Sequence, residues 1–234
     1  MPENESALVM ETMAEAPDAV PNWRVGFWSL IVTQFQGAFS DNTLKWLVSF
    51  LLLGMGLEQG KRDLLFVLVV PLLFSVPFLL FSMTGGYLAD RFSKRSVTVG
   101  LKVMEICVMV IALAGLAATN LFIAAIALFL LSTQAALFGP SKYGLLPELL
   151  PEKKLSWGNG ILELGTFLAG ILGTVAGGLL AEWFHGRQAW SGVFLIVLAG
   201  IGLLTSTGIS RVPAANPVKK FRFNSAGDLS AQVS

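Results

Sequence analysis

Residues 97–146 read VTVGLKVMEICVMVIALAGLAATNLFIAAIALFLLSTQAALFGPSKYGLL. Lys102, Glu105 and Lys142 are the only charged residues in this run, and only Thr119-Asn120 interrupts its apolar character. The interruption divides it into segments 97–118 and 121–146. At a rise of ~1.5 Å per residue, each segment makes a helix of about 33 to 39 Å, enough to cross a hydrocarbon core about 30 Å thick. So short a turn folds the two helices back as an antiparallel hairpin. Strands fit poorly, because neither segment alternates with period two and both are about twice the length of a barrel strand.

The same pattern recurs on both sides of the hairpin. Segments 27–53, 64–88, 157–184 and 190–210 are also long and apolar. The sequence therefore predicts an all-α membrane protein with six transmembrane helices within 23–210. The chain is 54% hydrophobic and only 13% charged, about half the charge of an average soluble domain. Sixteen basic against fifteen acidic residues leave a net charge of +1. That balance offers no electrostatic footing for nucleic acid, and no such partner is expected. One cysteine, Cys107, excludes an intrachain disulfide framework and a Cys-based zinc site. It is expected as a small buried apolar residue. One histidine, His185, excludes a multi-histidine metal site and is expected exposed in a loop. No metal and no cofactor are expected, and no repeat of solenoid length is visible.

Lys and Arg distribution gives an orientation. One side carries Arg24, the Arg91/Lys94/Arg95 loop, the Lys153/Lys154 loop and the tail residues Arg211, Lys219, Lys220 and Arg222; the other carries Lys61, Arg62 and Arg187. The positive-inside rule places the first side, and both termini, in the cytoplasm. Residues 1–22 hold Glu3, Glu5, Glu11, Glu15 and Asp18 with no Lys or Arg, unlike the basic start of a secretory signal. They read as a disordered acidic cytoplasmic tail. Residues 211–234 read as a second cytoplasmic tail.

Charge inside a membrane is costly, by about 2.5–3.5 kcal/mol per residue on insertion scales, and defaults to function. Asp41 lies midway along the first span, followed by Asn42 and Lys45. Asp41 and Lys45, four residues apart, share a helix face and can pair. They form either a cavity wall that binds a charged or zwitterionic ligand or a self-neutralised pair that orients packing. Lys102 and Glu105 in the third span, Lys142 in the fourth and Glu163 in the fifth are expected at similar depth. They form either a structural ion network holding three helices together, the reading favoured for Lys102 and Glu105, or ligand contacts, with Lys142 balanced between the two. Gly139-Pro140 is expected to break the fourth helix before Lys142, since proline removes a helical hydrogen bond. Gly173 and Gly177 make a GxxxG pair suited to close helix packing.

The loop Gly85-Gly86-Tyr87-Leu88-Ala89-Asp90-Arg91-Phe92-Ser93-Lys94-Arg95 resembles the G-x-L-A-D-R-x-G-R-[KR] motif of the major facilitator superfamily, in the place that family puts it, between the second and third spans. The match aligns Gly86 with the family's close-packing glycine, Asp90 with its acid, and Arg91 and Arg95 with its bases. Ser93 replaces its second glycine. The resemblance implies a conformational-switch loop whose acid latches onto a helix of the other half of a twelve-helix fold.

Three strings carry a narrower match. Phe39-Ser40-Asp41-Asn42, Phe138-Gly139-Pro140-Ser141-Lys142-Tyr143-Gly144 and Asn159-Gly160-Ile161-Leu162-Glu163 resemble the lysophospholipid transporter family and related facilitator domains fused to acyltransferases and acyl-carrier-protein synthetases. That family flips lysophospholipids, chiefly lysophosphatidylethanolamine, across the bacterial inner membrane. The resemblance implies that Asp41, Asn42 and Lys142 line the headgroup path and that Glu163 belongs to the same polar region. Lys45 joins them through its place beside Asp41. The family's first and fourth helices line the cavity and its third lies outside, which leaves Lys102 and Glu105 as a structural ion network.

The resemblance also implies twelve spans, of which six are found. The chain is therefore expected as an N-terminal half, with a C-terminal six-helix half or a partner chain completing it, 211–234 as the start of a central loop, and an acyltransferase or acyl-carrier-protein synthetase as a further candidate partner. Enzyme motifs are lacking. Trp190 stands where a His-x4-Asp acyltransferase motif would need its acid, and Met55 and Arg62 spoil a phosphate loop around Gly60-Lys61. Two other readings stay open: a facilitator for another small or amphipathic solute, such as a drug or a sugar, and a non-transporting anchor for a lipid-acylating enzyme.

Overall fold

A computed structural model describes residues 23–54, 58–64 and 68–218, without the side chains of Arg62 and Asp63. The expected acidic tail 1–22 and the tail residues Lys219, Lys220 and Arg222 lie outside the described residues. Seven α-helices are described: α1 Trp23–Gly54, the short α2 Gln59–Leu64, α3 Val70–Arg91, α4 Lys94–Ala117, α5 Leu121–Leu149, α6 Leu155–Trp183 and α7 Ala189–Thr207. A 3-10 turn at Glu152–Lys154 precedes α6.

Local chemistry sets the ends. Asn120 accepts from the backbone N–H of Phe122 (3.0 Å) and Ile123 (3.2 Å) and so caps α5. Proline occupies the first turn of α3, where no helical N–H is needed. Gly186 turns the chain between α6 and α7 at φ +75°, a left-handed conformation that favours glycine.

Helices α3, α4, α5 and α7, and α6 together with its leading turn, are long and apolar enough to cross a membrane. The first expected span, α1, is not among these five. Its 32 residues make about 48 Å at ~1.5 Å per residue, so length is no obstacle. Its polar residues set it apart, and they turn inward: Thr33, Gln34, Gln36, Ser40, Thr43 and Ser49 are buried. α1 occupies the middle of the bundle, packed on α6, α7 and α5, while α3 packs on α5, and α4 on α5 and α7.

The interior is layered. One apolar cluster joins Leu44, Leu47 and Leu52 of α1 to Met109, Leu116, Leu128 and Leu195. A second joins Phe27 and Leu30 to Leu145, Leu146, Leu149 and Leu162. On α1, α4 and α5 the two are separated by buried polar side chains: Gln36, Ser40, Lys102, Glu105 and Gln134. Lipid tails are as apolar as leucine, so close packing and internal hydrogen bonds, rather than hydrophobic burial, hold such helices together. Small residues serve that packing. A Cβ on Gly173 would lie 2.5 Å from the Phe39 carbonyl oxygen, and one on Gly177 would lie 2.7 Å from Trp46 Cβ, so the GxxxG pair seats α6 against α1. The outer surface carries large apolar side chains such as Leu79, Phe122, Phe167 and Leu204.

Two expectations are corrected. Cys107 is exposed on α4 rather than buried, because the inward face of that helix is taken by Lys102, Glu105, Val108 and Met109. α5 is not broken at Gly139-Pro140; it runs through both Pro140 and Pro147. Proline at 140 removes the donor that would bond the Ala136 carbonyl. The backbone of α3 closes over this place: a Cβ on Gly85 would lie 3.0 Å from the Leu137 oxygen and 3.1 Å from that of Ala136. Packing against α3 supports the helix where its own ladder is interrupted.

Candidate functional site

The polar layer opens on one side into a cavity of about 560 Å³ between α1, α3 and α5, with Asp41, Asn42, Lys102, Gln134 and Lys142 in its wall. The spacing on α1 produces this. Gln34, Ala38, Asp41 and Asn42 recur every three to four residues and share one face. Phe74, Phe78 and Ser82 of α3 supply the facing wall at the same period.

Two charged side chains in this wall lack a direct bonding partner. Among the described residues, the Asp41 carboxylate and the Lys142 ammonium form no hydrogen bond or ion pair. Lys142 is 9% exposed, and its ammonium sits 4.5 Å from the centroid of its neighbour Tyr143. An acid and a base are thus both held inside an apolar bundle and open to one cavity.

The expected Asp41–Lys45 pair does not form. Lys45 donates instead to Asn42 Oδ1 (3.0 Å), with its ammonium 5.2 Å from the centroid of the Phe74 ring. The amide oxygen three residues back and an aromatic face on α3 draw it away from Asp41. Lys45 therefore fixes Asn42 from outside the cavity wall.

Glu163 is likewise outside that wall. It accepts from Tyr143 Oη (2.7 Å) and lines a separate pocket of about 320 Å³ along α6. Asn42 and Thr166 border both spaces, and Gln34 bonds Thr166 across the α1–α6 seam at 3.1 Å.

Lys102 and Glu105 meet at 2.6 Å with side chains 1% and 0% exposed. The resemblance implied that their helix lies outside the cavity, but Lys102 forms part of its wall. It reaches there past Gly37, where a Cβ would come 3.0 Å from the ammonium. Sequence reasoning missed the partners of this pair. Gln36 accepts from Lys102 (2.8 Å) and donates to Glu105 (2.9 Å) and to Ser40 (2.9 Å), and Gln134 donates to Glu105 at 3.4 Å. The available signal was a run of amides and hydroxyls at helical spacing inside otherwise apolar spans.

The loop between α3 and α4 is tied to the rest of the bundle. Arg95 donates to the Thr207 carbonyl at 2.7 Å and so caps the last turn of α7. Arg91 bonds the Tyr87 hydroxyl, and Lys94 pairs with Glu148 at the end of α5. The backbone carbonyl of Asp90 accepts from Asn216 at 2.8 Å, which brings the segment after α7 against this loop. Within this bundle the tightly packed glycine of the loop is Gly85. A Cβ on Gly86 would meet nothing within 4 Å, whereas Gly85 lies against α5.

A bundle of apolar helices enclosing a charged, partly open cavity is the architecture of a membrane transporter domain. The family model of the Major Facilitator Superfamily matches residues 35–224, and the chain belongs to that superfamily. It is 33% identical over 221 residues to the lysophospholipid transporter LplT of Klebsiella pneumoniae subsp. pneumoniae, covering 90% of this chain and 50% of that protein. It is 32% identical over 207 residues to the protein of the same name from Salmonella typhimurium, covering 86% and 47%. The chain thus spans about half the length of the curated relatives it matches. A solved structure of the peptide transporter POT in complex with alafosfalin shares the fold, with a TM-score of 0.66 at 16% identity over 89% of this chain and 43% of that one.

Proposed function

We propose that the bundle is one half of a lysophospholipid transporter that moves lysophosphatidylethanolamine-like lipids across the bacterial inner membrane, with both chain ends in the cytoplasm. The observation that carries this reading is the unpaired acid and base in one cavity. The headgroup of such a lipid bears a phosphate anion and an ammonium. Lys142 would meet the phosphate and Asp41 the ammonium, each through a charge-assisted hydrogen bond. Asn42, held by Lys45, would orient the headgroup, and Glu163 would hold Tyr143 beside Lys142. Lys102 and Glu105 would serve as the ion network that keeps the cavity wall in place. The names of the relatives in Klebsiella and Salmonella support the same substrate class.

The translocation path would be completed by a second six-helix unit, on the same polypeptide or on a partner chain. The loop carrying Gly86, Asp90, Arg91 and Arg95 would act as the conformational switch between the two units. An acyltransferase or acyl-carrier-protein synthetase would take the delivered lysolipid.

Uptake tests this reading. The 234-residue chain is co-expressed with the C-terminal six-helix half of a lysophospholipid transporter in cells lacking their own, and labelled lysolipids are supplied. Asp41→Asn should lower uptake of lysophosphatidylethanolamine about tenfold, the scale of one charged hydrogen bond, and affect lysophosphatidylglycerol, which has no ammonium, much less. Lys142→Gln should lower both. Unchanged flux in both variants at normal membrane levels would overturn the assignment. Uptake of a sugar or a drug but of no lysolipid would favour a facilitator for another solute.

A further inference from the structure

The N-terminal ends of α1 and α6 meet in a cluster of cations and aromatic rings, apart from the charged cavity. Trp23 of α1 draws two cations. The Lys154 ammonium lies 4.5 Å from its ring centroid and the Arg24 guanidinium 5.6 Å. Lys153 stands beside Lys154 in the turn that leads into α6. All three cationic side chains are exposed. Among the described residues none of them forms an ion pair or a hydrogen bond. The neighbouring acids do not serve them: Glu148 is committed to Lys94, and Glu152 pairs with none of the three.

Two indoles form the next layer. Trp28 comes four residues after Arg24, and Trp157 three after Lys154. Each lies about one helical turn further along its helix, ~5–6 Å. The two rings meet edge to face at 6.4 Å and both pack on Phe27, at 5.4 and 5.2 Å. Phe27 is fully buried, so the cluster is fixed to the core, while Trp28 and Trp157 stay 49% and 46% exposed.

We infer that this cluster binds the headgroup of an anionic phospholipid such as phosphatidylglycerol, held as a bound lipid whatever the charged cavity transports. Cations gathered at one ring without an acid repel one another. A phosphodiester between Arg24 and Lys154 supplies the missing charge through charge-assisted hydrogen bonds. The indoles favour a lipid over a free anion, because exposed tryptophans at headgroup depth rest against the glycerol backbone and the upper acyl chain. Charge favours an anionic lipid, since the ammonium of phosphatidylethanolamine would be repelled by three cations. In the orientation proposed above, the site faces the cytoplasmic leaflet, where anionic lipids attract basic segments. The bound phosphate would clamp α1 to α6 at one end of the seam that Gln34 and Thr166 join beside the charged cavity.

Native mass spectrometry of the full chain in detergent, titrated with phosphatidylglycerol and with phosphatidylethanolamine, tests this. The first phosphatidylglycerol should bind about tenfold more tightly than phosphatidylethanolamine. Arg24→Gln/Lys154→Gln should abolish that preference. Arg91→Gln/Arg211→Gln removes the same charge from exposed positions at the same end of the bundle and should keep it. Equal loss in both variants would mean diffuse attraction to a basic surface and would overturn the site, as would a preference retained without Arg24 and Lys154. Phosphatidylglycerol with brominated acyl chains should quench tryptophan emission more than brominated phosphatidylethanolamine, and most of that excess should be lost in Trp28→Phe/Trp157→Phe. An unchanged excess places the lipid elsewhere and overturns the assignment. Displacement of the lipid by millimolar inorganic phosphate would identify a free-anion site. Lipid binding only after Glu15→Gln/Asp18→Asn would make the acidic N-terminal stretch the occupant. Either result overturns the inference.

Discussion

The Lys102 ammonium and the Glu105 carboxylate lie 2.6 Å apart in the centre of the bundle, both side chains cut off from solvent. Gln36 bonds to both. Taking charges out of water is unfavourable unless their lone pairs and protons find partners, and the two glutamines supply several of these. Removing one charge leaves the other buried and unmatched. Glu105→Leu or Lys102→Met alone should destabilise the bundle by about 3–5 kcal/mol, whereas the double variant should recover most of that loss. Unfolding of the purified chain in mixed micelles measures all three.

Gly85 and Gly86 differ in packing within the described residues. A side chain at Gly85 must push against the α5 backbone at Ala136 and Leu137, while one at Gly86 meets open space. Gly85→Ala should destabilise by about 1–3 kcal/mol. Gly86→Ala should stay within about 0.5 kcal/mol of the unaltered chain, as for a residue without a tight neighbour. Comparison of melting temperatures in detergent checks the pair.

Orientation can be read chemically, because the chain has one cysteine. In a Cys107→Ala background, His185→Cys should react with a membrane-impermeant maleimide on intact cells. Phe92→Cys should react only after permeabilisation. Both positions are exposed, and they lie at opposite ends of the bundle. The reverse pattern would invert the proposed topology.

The helices were legible in the sequence because a membrane demands long apolar runs, and the two-residue break at Thr119-Asn120 fixed the hairpin. Asp41 and Lys142 were legible because charge in such runs is rare. The partners of charge were not. Lys45 shares a helix face with Asp41, yet an amide three residues back and the ring of Phe74 on another helix decide where its ammonium goes. The amides and hydroxyls at helical spacing around Gln36 and Gln134 mark a polar face, but a neutral amide does not tell which buried charge it serves. Pro140 read as a helix break, since only tertiary packing shows that α3 closes over the carbonyl it frees.

The turn joining α4 and α5 has no slack. Thr119 takes φ 48°, the Asn120 N–H reaches back to the Gly115 carbonyl at 2.8 Å, and a Cβ on Gly115 would lie 2.6 Å from the Ala124 backbone nitrogen. Chains accept cuts and insertions where backbone is exposed and weakly bonded. A reporter, a protease site or a point of division into co-expressed fragments therefore belongs not in this turn but at the exposed residues 152–154, where α5 and α6 can be parted without opening the hairpin.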